Sequence, residues 1–343
     1  MKKLVALIVA AALLGIIVSK RRDGDAPAPQ GVGSGDDDVV VIDSGSPSPA
    51  AAAAAAPVAA AAPVAAAGTR LAAPTPAEPA VSVGAAAPPP GASLPVAARG
   101  PSQLPGAEFA AQVDQAARLL QEGRRLEARA LLSELYVHSR GEAAARLRAL
   151  LDGINADLVF SPRSVEGAIV HEVQAGQVLT TIGRKYGVHW RMIQRLNGMR
   201  TDRVKPGQRL KIIAGPASVV AWKGEFRLAL FMNGVYVKEY PMGIGREDLT
   251  PCGEFEVANM LVEPTWYKPE GGIVEYGQEG HLLGDRWIGF RDEPGATGLG
   301  IHGTHDETSI GTKCSNGCLR MKNLDVGELY DFMTVGSRVQ ILE

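Results

Sequence analysis

The residues with the clearest chemical potential lie near the C-terminus, in two short stretches that both contain glycine. Residues 301–304 read Ile-His-Gly-Thr, and residues 315–321 read Ser-Asn-Gly-Cys-Leu-Arg-Met. A thiol with a pKa of about 8.5 is only a few per cent thiolate at neutral pH; an adjacent imidazole raises that fraction and later returns the proton to a leaving amine. Cys318 and His302 therefore predict a nucleophilic acyl-transfer site.

The residues flanking the cysteine predict how a substrate is held. Gly317 lets the backbone pass close to a substrate carbonyl, so that amides between Asn316 and Cys318 point at a developing oxyanion. Arg320 adds a fixed positive charge two residues after the thiol. We expect substrate or oxyanion contacts from Ser315, Asn316, Gly317 and Arg320.

The two stretches together resemble the signature of the YkuD-type L,D-transpeptidases. His302 and Cys318 are sixteen positions apart, and Thr-Pro-x-Gly-x-Phe at 250–255 and Gly-Asp-Arg-Trp-Ile-Gly-Phe at 284–290 match further landmarks of that family. The resemblance implies that Cys318 is the nucleophile and His302 the general base and acid. It implies that the Gly303 carbonyl orients the imidazole, and that Arg320 supports the loop or binds a substrate carboxylate. Asn316 departs from the family, since many members carry a second histidine there.

The resemblance also implies a reaction. The thiol attacks the carbonyl of the third residue of a peptidoglycan stem tetrapeptide, expels D-alanine and forms a thioester, which the side-chain amine of a second stem resolves into a 3→3 cross-link. Resolution by water would make the same site an L,D-carboxypeptidase, and resolution by a protein amine would make it a protein-anchoring enzyme. Neither a metal nor another cofactor is required.

Other interpretations of the same residues remain open at this point. His302, His305, Cys314 and Cys318 are donor types that bind zinc. Cys314 is interpreted as a bystander, although a Cys314–Cys318 disulfide would block the nucleophile in an oxidising compartment. The non-enzymatic alternative is a wall-binding scaffold whose C-terminal domain only packs or docks.

The segment that must position this site, residues 218–343, is rich in short β-prone runs. Strands are expected at 219–222, 226–232, 235–240, 253–257 and 338–342, with one helix at 324–333. Asn233-Gly234 is a strong two-residue hairpin signal between two of them. These patterns predict a mainly β catalytic domain, a sandwich or partly open barrel. His281, Trp266, Tyr267, Trp287 and Phe290 are further residues considered for its cleft.

A second module is predicted at residues 168–214. β-prone ends enclose two helical segments, 178–186 and 190–196, which gives a βααβ pattern. The stretch resembles a LysM domain through Val173, Gly176, Leu179, Ile182, Asn197 and the Pro-Gly-Gln of 206–208. That resemblance implies binding to glycans that contain N-acetylglucosamine, such as peptidoglycan.

The N-terminal half predicts export and a tether. Within residues 1–22, Lys2 and Lys3 precede an apolar run from Leu4 to Val18, which is typical of a signal peptide or membrane anchor. Residues 23–106 form a disordered Ala/Pro-rich linker, and residues 107–157 show the helical periodicity of one tetratricopeptide-like hairpin. We therefore expect an envelope protein attached to the membrane at its N-terminus. With 35 Lys and Arg against 37 Asp and Glu, the net charge of −2 argues against nucleic acid as a partner.

Overall fold

The computed structural model describes residues 106–268 and 271–343. The predicted signal or anchor at 1–22 and the predicted linker up to residue 105 lie outside these described residues. The described chain contains three regions: a helical element, a small βααβ module and a mainly β domain.

The helical element contains three helices, α1 (Gly106–Gln121), α2 (Arg125–Val137) and α3 (Gly141–Leu158), where a two-helix hairpin was expected. The physical reason lies in its two glycines. Gly123 and Gly141 both adopt positive φ angles, 79° and 55°, a conformation that glycine reaches without steric cost. Each glycine lies at a break between helices, so the periodic segment is divided into three parts.

The helices pack on one edge of the main sheet. Tyr136 of α2 is fully buried and meets the Trp222 ring edge-on, with 5.8 Å between ring centroids. The Asn155 amide of α3 donates to the carbonyl oxygens of Tyr236 and Val237, each at 2.9 Å. An exposed sheet edge can pair with strands of other chains. Here side chains of α2 and α3 cover the edge that contains Tyr236 and Val237.

The βααβ module consists of β1 (Ile169–Glu172), α4 (Leu179–Tyr186), α5 (Trp190–Leu196) and β2 (Arg209–Ile212). Its two strands pair antiparallel, with Ile169 opposite Ile212. Asn197, at the end of α5, donates to the Lys211 carbonyl at 2.8 Å and accepts from the Lys211 amide at 2.7 Å. This asparagine therefore joins the second helix to the second strand.

The module contacts both neighbouring regions. The buried Lys211 ammonium donates to the carbonyl oxygens of Leu158, Val159 and Ser161, at 2.6, 2.9 and 3.0 Å, beyond the C-terminal end of α3, where helix carbonyls lack partners and cations are favoured. On the other side, Arg195 forms an ion pair with Asp331 of the β domain at 2.6 Å.

The β domain is built on one mixed eight-stranded sheet, in the order β13-β11-β10-β7-β14-β3-β4-β5. Its strands are β3 (Ala217–Trp222), β4 (Arg227–Met232), β5 (Val235–Pro241), β7 (Gly253–Val262), β10 (Arg286–Phe290), β11 (Gly300–His302), β13 (Leu319–Arg320) and β14 (Arg338–Leu342). Two small ladders accompany it, β6 (Ile244–Gly245) with β12 (Lys313–Ser315) and β8 (Trp266–Tyr267) with β9 (Ile273–Val274). The mainly β prediction is confirmed.

One α-helix, α6 (Asn323–Phe332), is found among the described residues of this domain. Its apolar residues join the core formed by the central strands, including Val326, Leu329 and Phe332. The hairpin predicted at Asn233-Gly234 is present, and both residues have positive φ, 53° and 74°, as a type I′ turn requires. Among the helices that the structure describes, none is both long and apolar enough to cross a bilayer.

Candidate active site

The two chemically distinctive stretches meet at one edge of the main sheet. Strands β11 and β13 pair in parallel, with Ile301 opposite Leu319 and His302 opposite Arg320. Side chains alternate between the faces of a strand. Ile301 and Leu319 point into the core, where they are 0% and 1% exposed, so His302 and Arg320 share the other face. Cys318 directly precedes β13.

The protonation of His302 is defined by its neighbour. Its Nδ1 lies 2.6 Å from the Gly303 carbonyl oxygen, and because a carbonyl only accepts, Nδ1 carries the proton. The neutral ring therefore keeps its lone pair on Nε2. The Trp287 indole stacks on the imidazole, with centroids 6.1 Å apart and 25° between the planes.

The Cys318 thiol lies beside the turn that leads into β11. Its Sγ is 3.8 Å from the Gly298 carbonyl oxygen. Burial raises the pKa of Cys318 to about 11. A backbone hydrogen bond from Gly300 and the charge of Arg320 both lower this pKa, but by less than burial raises it. At neutral pH this group is consequently a thiol.

Burial acts in the opposite direction on the His302 imidazole. It lowers the pKa of His302 to about 4. The hydrogen bond with the Gly303 carbonyl raises this pKa, and the positive charge of Arg320 lowers it further. Between about pH 4 and pH 11 both the imidazole and the Cys318 thiol are therefore neutral. The resting arrangement differs from a preformed thiolate–imidazolium pair.

The loop before the thiol is held by hydroxyl groups. Ser315 Oγ donates to the Cys318 carbonyl at 2.7 Å and accepts from the Gly317 amide at 3.2 Å. Thr250 Oγ1 donates to the Gly317 carbonyl at 2.9 Å. Gly317 has a φ of 122°, a conformation that residues with a Cβ rarely adopt, so glycine is required at this position.

Arg320 presents a charge without a protein counter-ion. Within residues 106–268 and 271–343 its guanidinium takes part in no ion pair, and its buried Nε has no hydrogen-bond partner. Its backbone is fixed by reciprocal hydrogen bonds with Gly243, at 2.8 and 2.9 Å. A rigidly mounted, unpaired cation beside the thiol is suited to an anionic ligand.

The other predicted residues are placed as follows. Asn316 is exposed at the tip of the loop. Cys314 Sγ lies 3.5 Å from the Ser309 carbonyl oxygen, and His305 faces Asn323. All three cysteines are free thiols. Among the described residues, no three His, Cys, Asp or Glu side chains converge in a way that could hold a metal.

Thr250 and Asn323 were not predicted as parts of the site. The motif at 250–255 contains Thr250 but indicates no role for it. Asn323 Oδ1 accepts from the Asp285 amide at 3.1 Å, and it would lie 2.1 Å from a Cβ added to Gly303. Glycine at 303 therefore lets helix α6 begin directly against the histidine strand. In the sequence, Gly303 of the motif at 301–304 is the sign of this close contact. The sequence does not indicate that the contact is made by Asn323, which lies twenty residues further along the chain.

His281 lies at the base of the segment that carries β8 and β9. Its Nε2 donates to the Pro264 carbonyl at 2.7 Å, and its Nδ1 is buried without a partner among the described residues. It is close enough for its charge to depress the pKa of His302 slightly. In β8, Tyr267 is 71% exposed, so it does not pack in the core.

In the βααβ module, the segment that follows β1 lies beside the segment that precedes β2. The Val173 amide donates to the Gln208 carbonyl at 2.9 Å, and the Gly207 amide donates to the Val173 carbonyl at 2.8 Å. Val173 and the Pro-Gly-Gln segment at 206–208, which carry the resemblance to a LysM domain, therefore lie together at one end of the module.

Comparison with known proteins agrees with this architecture. A family model of the L,D-transpeptidase catalytic domain, YkuD, matches residues 216–341, and a LysM domain model matches residues 171–212. The Bacillus subtilis (strain 168) protein named "Putative L,D-transpeptidase YqjB" is 38% identical over 134 residues, which cover 38% of this chain and 74% of that protein. "Putative L,D-transpeptidase YkuD" of the same organism is 28% identical over 181 residues, covering 50% and 98%.

Among solved structures, the catalytic domain of the E. faecium L,D-transpeptidase is 19% identical, with a TM-score of 0.31, over 37% of this chain and 96% of that chain.

The fold and the sequence matches define an enzyme with a mainly β catalytic domain and a separate LysM peptidoglycan-binding domain. The chain belongs to the L,D-transpeptidase family. This combination of domains implies a location in the cell wall or elsewhere outside the cytoplasm.

Proposed function

We propose that this L,D-transpeptidase uses Cys318 as its nucleophile on peptidoglycan stem tetrapeptides and forms 3→3 cross-links through a thioester. The observation that supports the proposal is the parallel pairing of β11 with β13, which sets His302 opposite Arg320 and brings Cys318, the residue directly before β13, to the neighbouring strand. The LysM domain holds the glycan strand from which the stems extend.

The first half-reaction follows from the protonation of the pair. Because both groups are neutral at rest, His302 Nε2 takes the thiol proton as Sγ attacks, and the Nδ1–Gly303 hydrogen bond stabilises the imidazolium that forms. A bond forms between Sγ and the carbonyl carbon of the third stem residue. The bond to D-alanine breaks, and the imidazolium gives its proton to the leaving amine.

The second half-reaction reverses the same transfers. The side-chain amine of another stem attacks the thioester carbon and gives a proton to His302. The carbon–sulfur bond then breaks, and the imidazolium returns the proton to Cys318. The unpaired Arg320 guanidinium is suited to bind a stem carboxylate and hold the donor in line with the thiol. Asn316 at the exposed loop tip and Ser315 below it complete the substrate-facing loop.

Product analysis distinguishes this function from its alternatives. The purified chain is incubated with disaccharide tetrapeptides, and the products are separated and weighed by mass spectrometry. Free D-alanine together with 3→3 linked dimers supports the proposal. Tripeptides without dimers would instead indicate the L,D-carboxypeptidase, and transfer only to added protein would indicate the anchoring enzyme. No product from folded protein would leave wall binding as the function.

Attachment to the membrane through residues 1–22 is a separate part of the proposal, supported by the sequence of that segment. N-terminal sequencing of the protein from membrane and soluble fractions tests it. Membrane-bound protein that begins with the uncleaved segment supports an anchor. Soluble protein that begins after residue 22 would show that the segment is a signal peptide.

A further inference from the structure

The peptide group between Gly317 and Cys318 is oriented by a residue far away in the sequence. Thr250 is completely buried, and its Oγ1 accepts from the Gly245 amide at 2.7 Å while donating to the Gly317 carbonyl at 2.9 Å. We infer that Thr250 is a positioning residue that aims the Cys318 amide at the oxyanion of the reaction. The inference rests on the proposed thioester chemistry.

The planar peptide bond couples the direction of the Gly317 carbonyl to that of the Cys318 amide. In a trans peptide the carbonyl of one residue and the amide of the next point in opposite directions within one plane. Because the Gly317 carbonyl is directed at Thr250, the Cys318 N–H is directed away from it. Within the described part of the chain, no backbone or side-chain oxygen accepts a hydrogen bond from this amide, so it is free to bind a ligand.

The neighbouring amide is less suitable as an oxyanion donor. The Gly317 N–H is engaged by Ser315 Oγ at 3.2 Å, and the same hydroxyl donates to the Cys318 carbonyl at 2.7 Å. Ser315 thus fixes the peptide group after Cys318, as Thr250 fixes the one before it. Of the Gly317 and Cys318 amides, that of Cys318 is therefore the unpaired one, and the carbonyl of its own peptide group is fixed by Thr250.

Close packing keeps the threonine in place. A Cβ on Gly245 would lie 2.7 Å from the Thr250 nitrogen and 3.0 Å from the Gly317 Cα, and a Cβ on Gly317 would lie 2.9 Å from the Leu249 carbonyl oxygen. The three backbone segments are therefore in direct contact. The hydroxyl spans this contact and supplies the hydrogen bonds that each buried peptide group needs.

The test compares Thr250→Val, which keeps the shape and loses the hydroxyl, with Thr250→Ser, which keeps the hydroxyl. Removing one oxyanion donor typically costs about 10²–10³ in kcat, so misdirecting one in Thr250→Val should lower kcat for D-alanine release by at least about 10-fold, with KM within about 3-fold of wild type. Thr250→Ser should stay within about 3-fold in both parameters.

Alkylation by iodoacetamide distinguishes a loss of oxyanion positioning from a general loss of reactivity at Cys318. This reaction uses the same thiol but develops no oxyanion, so its rate at Cys318 should change less than about 2-fold in Thr250→Val. Thermal unfolding confirms that each variant is folded, and Thr250→Ala replaces the valine variant if that one does not fold.

The outcomes are separable. A kcat for Thr250→Val equal to wild type, an equal loss of acylation and alkylation, or a folded Thr250→Ser that behaves like the valine variant would each overturn the inference. Absence of D-alanine release from the wild-type chain would instead overturn the proposed function.

Discussion

The neutral state of the proposed catalytic pair, His302 and Cys318, leads to a prediction that separates this site from one with a preformed ion pair. The pKa of His302 is lowered to about 4 and that of Cys318 is raised to about 11, in both cases mainly by burial. His302 therefore carries no charge at neutral pH that would stabilise a thiolate in the free enzyme. Replacing it in His302→Gln should leave thiol reactivity nearly unchanged while acyl transfer collapses.

The magnitudes follow from the two pKa values. A thiol with a pKa of about 11 is about 10⁻⁴ thiolate at pH 7, compared with about 3% for an ordinary cysteine. The thiolate fraction of Cys318 is then about 300-fold lower than that of an ordinary cysteine at this pH, so its alkylation should be slower, by a smaller factor because a more basic thiolate is the better nucleophile. Loss of a general acid and base costs about 10²–10⁴ in rate, so D-alanine release should fall by that factor in His302→Gln.

The assay follows alkylation by iodoacetamide from pH 5 to pH 10 by intact-protein mass spectrometry, in a Cys252→Ser/Cys314→Ser background in which only Cys318 reacts. The rate should rise about tenfold per pH unit without a plateau, and the His302→Gln profile should coincide with it within about 3-fold. A plateau between pH 5 and pH 8 that disappears in His302→Gln would refute the neutral pair.

Further predictions concern charge and stability. Arg320→Gln should raise KM for stem peptides by about 10- to 100-fold because a charge-assisted contact is lost, and Arg320→Lys should recover part of the affinity; unchanged KM in both would contradict a carboxylate-binding role. Lys211→Met should lower the free energy of unfolding by about 1–3 kcal/mol in urea titrations, since three carbonyl groups lose their donor, whereas Lys205→Met, at an exposed position of the same module, serves as the control. Unfolded histidine binds a proton near pH 6.5, whereas folded His302 binds one only near pH 4. Between these pH values the unfolded chain holds more protons, so acidification should lower the free energy of unfolding. This pH dependence of the free energy should be weaker in His302→Gln, and an equal slope would contradict the buried neutral imidazole.

The parts of the fold that depend on local sequence were predictable. Asn233-Gly234 specified its hairpin because both residues tolerate positive φ, and the predicted strand at 338–342 coincides with β14. The helical element shows the limit of this approach. Its two glycines lie at the breaks between helices, whereas the periodic pattern predicts a two-helix hairpin because periodicity alone does not give the ends of short helices.

The long-range parts of the site were not accessible from the sequence. Thr250 acts on a peptide group 67 positions away, and only the folding of β6 against the nucleophile loop brings the two together. The neutral state of His302 and Cys318 depends on burial, which a motif does not report. The sequence indicated which residues could react, whereas the structure was needed to find what orients them.

Trapping of the acyl-enzyme tests the central proposal most directly. The full chain is mixed with a tetrapeptide donor without an acceptor amine, quenched in acid and examined by intact-protein and peptide mass spectrometry. We expect a tripeptidyl adduct on Cys318 with release of one D-alanine, retained in Cys314→Ala and absent in Cys318→Ala. Turnover by Cys318→Ala, or an adduct at a different residue, would contradict it.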